Sequence, residues 1–189
     1  MNKGDIGYWN NLKKREWIKC SVQWAAVVTF LAIGIITTNT KLNLFTLFAI
    51  LSCLPASKTM VGVIVKYPIK PMKNEQIEAV KTHTTHLTTS YDVVITSKEK
   101  IMPIECVVIS GNSIYGYTTN KKVGLESTAA YIKTFLAQND CGRVNIKLFH
   151  EYVPFLSRVE GLNNIASIEK ADTKDLEEKI KYTIKLYSM

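Results

Sequence analysis

The sequence predicts an α/β (α+β) protein in two parts, an N-terminal two-helix transmembrane hairpin followed by a small mixed-sheet α-β-β-β-α-β domain with a C-terminal helix. Three observations lead there. Residues 20–57 hold a single charge, Lys41, whereas residues 58–189 hold 18 basic and 14 acidic side chains, the balance of a water-facing domain. Three short runs rich in Val, Ile and Tyr lie close together between residues 91 and 119, with helical periodicity on either side of them. At 189 residues, 47% of them hydrophobic, the chain is long enough for one core plus an appendage and too apolar for extended disorder.

From Trp17 to Thr38 the chain reads WIKCSVQWAAVVTFLAIGIITT, and the stretch after Lys19 has roughly the 20 apolar residues that cross 30 Å of hydrocarbon. Trp17 and Trp24 suit the interface with water. A signal peptide would carry a shorter apolar core and a small-x-small cleavage site, which does not follow Ile36. The second run, Leu42–Ser57, is short for a span, but Lys58 can snorkel to the headgroups and the polar stretch Thr37–Lys41 can form the reversal. Lys13, Lys14, Arg15 and Lys19 precede the first run; Lys58, Lys66, Lys70 and Lys73 follow the second. The positive-inside rule then gives a multi-pass protein of the cell membrane with both termini cytoplasmic. The expected plan is a cytoplasmic segment 1–19, the hairpin 20–57, a juxtamembrane linker or helix extension 58–72, and a cytoplasmic domain 73–189. Val61, Val63, Ile64 and Val65 favour a strand over Ser57–Tyr67, yet the preceding helix can simply continue, with Pro55 as a kink site and Pro68 and Pro71 marking its end. Continuation is the preferred reading. It would bring Lys58 and Lys66 toward anionic lipid or leave them solvated.

Beyond Pro71, Ile77, Val80, Thr84 and Leu87 recur at helical spacing and predict a helix over 74–88. Tyr91–Thr96, Met102–Ser110 and Ser113–Thr119 read as strands, with Gly111-Asn112 as a two-residue hairpin turn. Leu125, Ala129, Ile132, Phe135 and Leu136 form one stripe of a helix over 125–139, with Gly142 available to end it in a left-handed conformation. Val144, Ile146 and Leu148 alternate with Arg143, Asn145 and Lys147, the pattern of a strand with one buried face. Residues 150–171 contain Pro154 and Gly161 and predict at most a short helix over 155–162. A last helix over 173–187 puts Leu176, Ile180, Thr183, Ile184 and Tyr187 on one side, takes Asp172 as its cap, and shows Glu177 and Lys181 as a solvated pair.

The net charge of +8 is spread along the chain and much of it flanks the apolar runs, so no nucleic-acid-binding patch is implied and nucleic acid is not an expected partner. Cys20, Cys53, Cys106 and Cys141 show no CxxC spacing, and thiols rather than disulfides fit a cytosolic domain.

The element order, together with IECVVISGNSIYGYTTNK over residues 104–121, resembles the core of the PD-(D/E)xK restriction-endonuclease-like fold, in particular its nuclease-related branch. In that family an acid begins the second strand and an acid-x-lysine closes the third; the two carboxylates hold a divalent metal that activates water, while the lysine assists electrostatically. Glu105 stands at the first acid position, but the second acid falls on Thr118 and the lysine on Asn120. Lys121 is one place out of register, which on a strand sends it to the other face. The resemblance therefore implies the fold without a complete nuclease site.

Other candidates are sparse. His83 and His86 lie three apart and could share a metal, but no acid or cysteine stands at ligand spacing. Cys141 and His150 have no supporting motif as a nucleophile and base. Tyr115, Tyr117, Lys121 and Lys122, near the start of helix 125–139, form a candidate corner for an anion or an aromatic ligand, although such tyrosines more often finish a core with their hydroxyls at its edge. No cofactor and no metal is expected. The functional expectation is a membrane-anchored cytoplasmic binding or interaction module, with the lipid bilayer and a protein partner or further copies of the chain as its partners. Two alternatives are a membrane sensor-effector responding to a nucleotide or anion, and a divergent metal-dependent nuclease using Glu105 with Asp92 or Glu75.

Overall fold

The computed structural model describes residues 3–38, 43–67, 69–97, 100–169 and 173–189. They divide into two compact units, Trp9–Ile69 and the remainder, Met1–Tyr8 with Lys70–Met189.

In the first unit a continuous helix, α1 (Tyr8–Thr38), is followed by α2 (Leu44–Lys66). A seven-residue spacing carries their contact. Cys20 and Val27 on α1, and Ala49, Ala56 and Val63 on α2, are buried, with Leu31 and Cys53 packed against the centre of the seam; such a repeat keeps one stripe of each helix on its partner. Close approach near the reversal depends on Gly34, where a Cβ would meet the Asn43 side chain at 2.7 Å and Phe45 at 2.9 Å. Asn43 caps α2 by accepting from the Thr46 N–H at 2.8 Å, and its amide donates to the Gly34 carbonyl at 2.9 Å. At the opposite end Lys66 pairs with Glu16 at 3.3 Å, the Thr59 hydroxyl donates to Gln23, and Lys13 donates to the carbonyls of Tyr67 and Ile69. Away from the seam both helices expose apolar side chains, Ile36 at 76% and Leu54 at 72%. Both are long and apolar enough to cross a membrane.

Residues 57–66 are helical, as the continuation reading expects, so the second apolar segment is not a short run ending at Ser57. It is a 23-residue helix, about 34 Å long at 1.5 Å per residue, with Met60, Val61 and Ile64 exposed beyond Lys58. Lys66 is held by Glu16, and Lys58 keeps the outward position. The central residues of the reversal, 39–42, lie outside the described residues.

The second unit runs α3 (Asn74–Thr82), β1 (Thr88–Thr96), β2 (Ile101–Ser110), β3 (Ser113–Tyr117), α4 (Leu125–Gln138), β4 (Asn145–Phe149), α5 (Tyr152–Glu169) and α6 (Lys174–Leu186). The sheet order is β1-β2-β3-β4, antiparallel except for the β3–β4 pair, which is parallel. Each face carries a helical layer. Ile132, Phe135 and Leu136 of α4 and Ile180 and Ile184 of α6 pack on Val93, Ile95, Ile104, Ile109 and Ile114. Ile77 and Val80 of α3 and Phe155 and Val159 of α5 pack on Tyr91, Cys106, Val108 and Tyr117. The Gly111 turn forms as expected, with Gly111 at φ +50° and Ser110 opposite Ser113.

Four local expectations are corrected. The helix predicted over 74–88 ends at Thr82; His83 leaves the helical region and the Leu87 N–H turns back to Thr84, a short turn that seats Leu87 in the core while the Thr-rich sequence enters β1. The stretch 150–171 is not mostly irregular, because α5 takes up Tyr152–Glu169. Pro154 falls in the first turn, where a missing N–H is harmless, and Gly161 faces open space. Gly142 is left-handed as expected, at φ +73°, but Asp140 closes α4 before it: at φ +53° it lets the Cys141 N–H donate to the Leu136 carbonyl at 3.1 Å and its own N–H donate to Ala137, a Schellman closure with Cys141 and Leu136 sharing the core. Finally, Glu177 does not pair with Lys181. It is 2% exposed, and Lys181 pairs with Glu178 at 3.1 Å instead. The expected cap Asp172 lies outside the described residues.

Candidate functional site

The most unusual local geometry is in the middle of the sheet. Tyr91 and its partner Cys106 face the α3/α5 layer, whereas Val93 and its partner Ile104 face the α4/α6 layer. Residues two apart on a strand normally share a face, so both strands change phase across the intervening pair, Asp92 and Glu105. Asp92 absorbs the change with φ +52°, a conformation that Asp tolerates better than most residues. Both acids are buried, at 6% and 3% exposure.

Glu105 is fully engaged by the chain's own groups. Both carboxylate oxygens accept from the Thr119 N–H at 3.1 Å, and the Thr119 hydroxyl donates to Oε1. This bond explains why β3 stops at Tyr117. The Thr118 N–H still reaches Phe149, but the next N–H leaves the ladder for Glu105. Burial pushes the Glu105 carboxyl above the usual carboxylate range, against the lowering effect of the Thr119 bonds. Thr118, at the second acid position of the resemblance, is wholly buried and donates its hydroxyl to the Pro103 carbonyl at 2.7 Å. Asn120, at the lysine position, accepts from the Lys122 N–H and shapes the loop into α4. His150 Nδ1 lies 3.1 Å from the Thr118 carbonyl; since a carbonyl only accepts, Nδ1 carries the proton. Glu75, in the first turn of α3, is exposed, and the Asp92 carboxylate accepts from the Gly7 N–H at 2.9 Å. Among the described residues no group of three or more His, Cys, Asp or Glu could hold a metal ion.

The expected ligand corner separates into two. Tyr117 is buried and stacks on Phe155 at 5.5 Å, with Tyr152 edge-on at 5.7 Å, while Tyr115 meets Phe149 edge-on at 6.0 Å. These rings complete the α5 side of the core rather than present a stacking platform. Lys121 is exposed on the loop. Lys122 does line a cleft of about 230 Å³, with Lys100, Ile101, Met102, Val123, Gly124, Ser127 and Thr128. The start of α4 opens there, capped by the Gly124 backbone with no side-chain bond, so two lysines and a helix N-terminus share one concavity. Lys100 carried no signal of its own in the sequence; the β1–β2 pairing brings it there.

The histidines and cysteines serve other ends. His83 pairs with Glu160 of α5 at 3.0 Å, and the His86 N–H donates to Asn163, so the pair is committed to fastening the turn before β1. Cys141 is buried beside Thr183, and Cys106 lies in the sheet, where burial, followed by the nearby Glu105 and Asp92 carboxylates, raises its thiol pKa well above the usual range. The four cysteines are free thiols.

The chain matches no protein-family model, no curated protein and no solved structure. Site geometry alone therefore carries the functional reading.

Proposed function

We propose that this chain is a membrane-anchored cytoplasmic binding module without catalytic activity, which brings a protein partner or further copies of itself to the inner face of the cell membrane. The observation that carries this reading is the closed state of Glu105. The one acid at a nuclease-like position spends its oxygens on Thr119, and threonine and asparagine stand where a second acid and a lysine would be needed. A metal-dependent hydrolase needs an open coordination position next to its carboxylates. The anchor supports the same reading, because holding a domain at a surface raises its local concentration and makes weak contacts effective. Residues 3–8 belong to the same unit as the C-terminal domain, which supports an even number of crossings with both termini on the cytoplasmic side. Apolar side chains left outside the core on α5 and α6, Ile168 at 80% and Tyr182 at 68% exposed, are surface available for a partner.

The test is purification of the full-length chain from membranes in mild detergent, with mass determined by light scattering and DNA cleavage assayed with Mg²⁺. A defined oligomer or stoichiometric complex without cleavage is expected. A lone monomer, recovery in the soluble fraction without detergent, or cleavage that disappears in Glu105→Ala would overturn the reading.

The Lys100–Lys122 cleft favours one alternative, a sensor in which a phosphate-bearing ligand sits at the start of α4. It predicts that ATP or inorganic phosphate raises the melting temperature of the full chain and that Lys122→Ala abolishes the rise. No movement in the wild type would remove it.

A further inference from the structure

The open edge of β1 is covered by the two ends of the chain. The C-terminus takes one half, where the Met189 N–H donates to the Val94 carbonyl and the Val94 N–H donates to the Ser188 hydroxyl. The N-terminus takes the other. The Tyr91 N–H donates to the Gly4 carbonyl at 3.0 Å, the Gly7 N–H donates to Asp92 Oδ2 at 2.9 Å, and Lys3 Nζ donates to the Ser188 carbonyl at 2.7 Å. Ile6 packs against the core cluster of the α3/α5 face. Gly4 and Gly7 sit at φ +86° and +78°, conformations open mainly to glycine. Gly7 immediately precedes α1.

We propose that residues Lys3–Gly7 are a releasable strap, latched by Asp92, through which the state of the β1–β2 phase change is passed to the start of the first membrane helix. Closing it gains the Tyr91–Gly4, Gly7–Asp92 and Lys3–Ser188 contacts and the partly buried Ile6, set against the ordering of five residues, two of them glycine, which lose the most backbone freedom. The closed strap also leaves a polar group unsatisfied. Ser90 is fully buried with Gly4 over it, and its hydroxyl has no hydrogen-bond partner among the described residues; release would return it to water. The latch itself sits on a left-handed Asp92, so the conformation that changes the phase of the sheet is the one that aims the carboxylate at Gly7. A strained residue whose side chain holds a low-stability segment is a two-position element. This device adds to the binding role and does not depend on it.

Amide hydrogen exchange on the full chain in detergent micelles tests it with three variants. Asp92→Asn keeps an acceptor oxygen and tolerates the left-handed backbone, so the Gly7, Tyr8 and Tyr91 amides should stay as slow as in the wild type. Asp92→Gly keeps the backbone and loses the acceptor, and these amides should exchange at least tenfold faster while Val108 and Tyr115 in the sheet stay slow. Gly4→Ala leaves the domain's own residues intact but sets a Cβ 2.5 Å from the Ser90 hydroxyl, and it should give the same pattern as Asp92→Gly. Unchanged protection at Gly7 and Tyr91 in both Asp92→Gly and Gly4→Ala overturns the latch. Loss of protection throughout the sheet shows the contact to be merely structural, and acceleration confined to Gly7 and Tyr91, with Tyr8 and the first turn of α1 unaffected, overturns transmission to the helix.

Discussion

Two glutamates of the same domain, Glu105 on β2 and Glu177 on α6, are equally hidden from water, at 3% and 2% exposure, yet their acidities move in opposite directions. For Glu105 burial outweighs its donors, chief among them the Thr119 N–H and hydroxyl, and its pKa is raised. For Glu177 burial also pushes the pKa up, but four donors outweigh it and the net shift is downward. The Thr88 hydroxyl donates at 2.6 Å, the Gly111 N–H at 2.8 Å, the Thr173 hydroxyl at 2.9 Å, and the Lys174 ammonium lies 3.4 Å away. Glu177 also stands in the first turn of α6, where the helix dipole favours an anion. Surface exposure alone thus does not set the acidity of a carboxylate; depth of burial and the number and kind of its donors do so together. The consequence is a division of labour. Glu177 ties the start of β1, the β2–β3 turn and the start of α6 together with its acidity strengthened by its donors, while Glu105 closes the end of β3 with its acidity weakened by burial.

Removing Glu177 gives the largest expected effect. Glu177→Ala strands the buried Thr88 hydroxyl and the Gly111 N–H and should lower stability by about 2–4 kcal/mol, read as a shift of the urea midpoint of the full chain in detergent. The pH dependence follows from the lowered pKa. The stability that Glu177 contributes is present above the ordinary carboxylate range and is lost as pH falls through its depressed folded value, so the acid-side loss of stability should shrink in the variant. An unchanged acid limb would break the comparison.

Glu105→Gln should do the reverse. A raised pKa contributes stability that is full below the ordinary value and lost as pH rises through the raised folded one. Replacing the acid with a neutral amide of the same shape removes that loss, so the variant should match or exceed the wild type at neutral pH, by up to about 1 kcal/mol, and fall behind it only in acid. A loss at neutral pH as large as that of Glu177→Ala would show that Glu105 works as an anion after all.

The contrast also marks what the sequence makes legible. The hairpin, the sheet strands, the Gly111 turn and α4 follow from apolar runs and periodicity, because their burial is written into residue type at fixed spacing. Glu177 sits four residues before Lys181 on an otherwise charged helix face, and nothing local distinguishes it from a solvated pair; its burial is set by Thr88 and Gly111, distant in sequence. Pro154 and Gly161 read as breakers only while their position within a helix is unknown, since a first-turn proline and an exposed glycine interrupt nothing. The strap has no periodicity at all, and Gly4 and Gly7 are its only trace. At the candidate site Lys122 was legible as a charge near a helix start. Lys100 was not, because strand pairing places it, and Tyr115 and Tyr117 allow either a ligand corner or a finished core until the sheet face they line is known.

The smallest expected effect isolates the cation in the Glu177 cluster. Lys174 is 58% exposed on its side chain, so its attraction to Glu177 is screened by water and salt, and its ammonium is shared with the His86 carbonyl at 2.8 Å. Lys174→Met should therefore cost no more than about 0.5 kcal/mol, the range of a surface pair, and leave the depressed acidity of Glu177 largely in place, since the hydroxyls of Thr88 and Thr173 and the Gly111 N–H remain. The measurement is the Glu177 side-chain carboxyl chemical shift followed through an acid titration in the variant and the wild type. If the titration moves up to the ordinary carboxylate range in Lys174→Met, charge rather than neutral donors sets Glu177 apart from Glu105, and the donor-count account of the two sites fails.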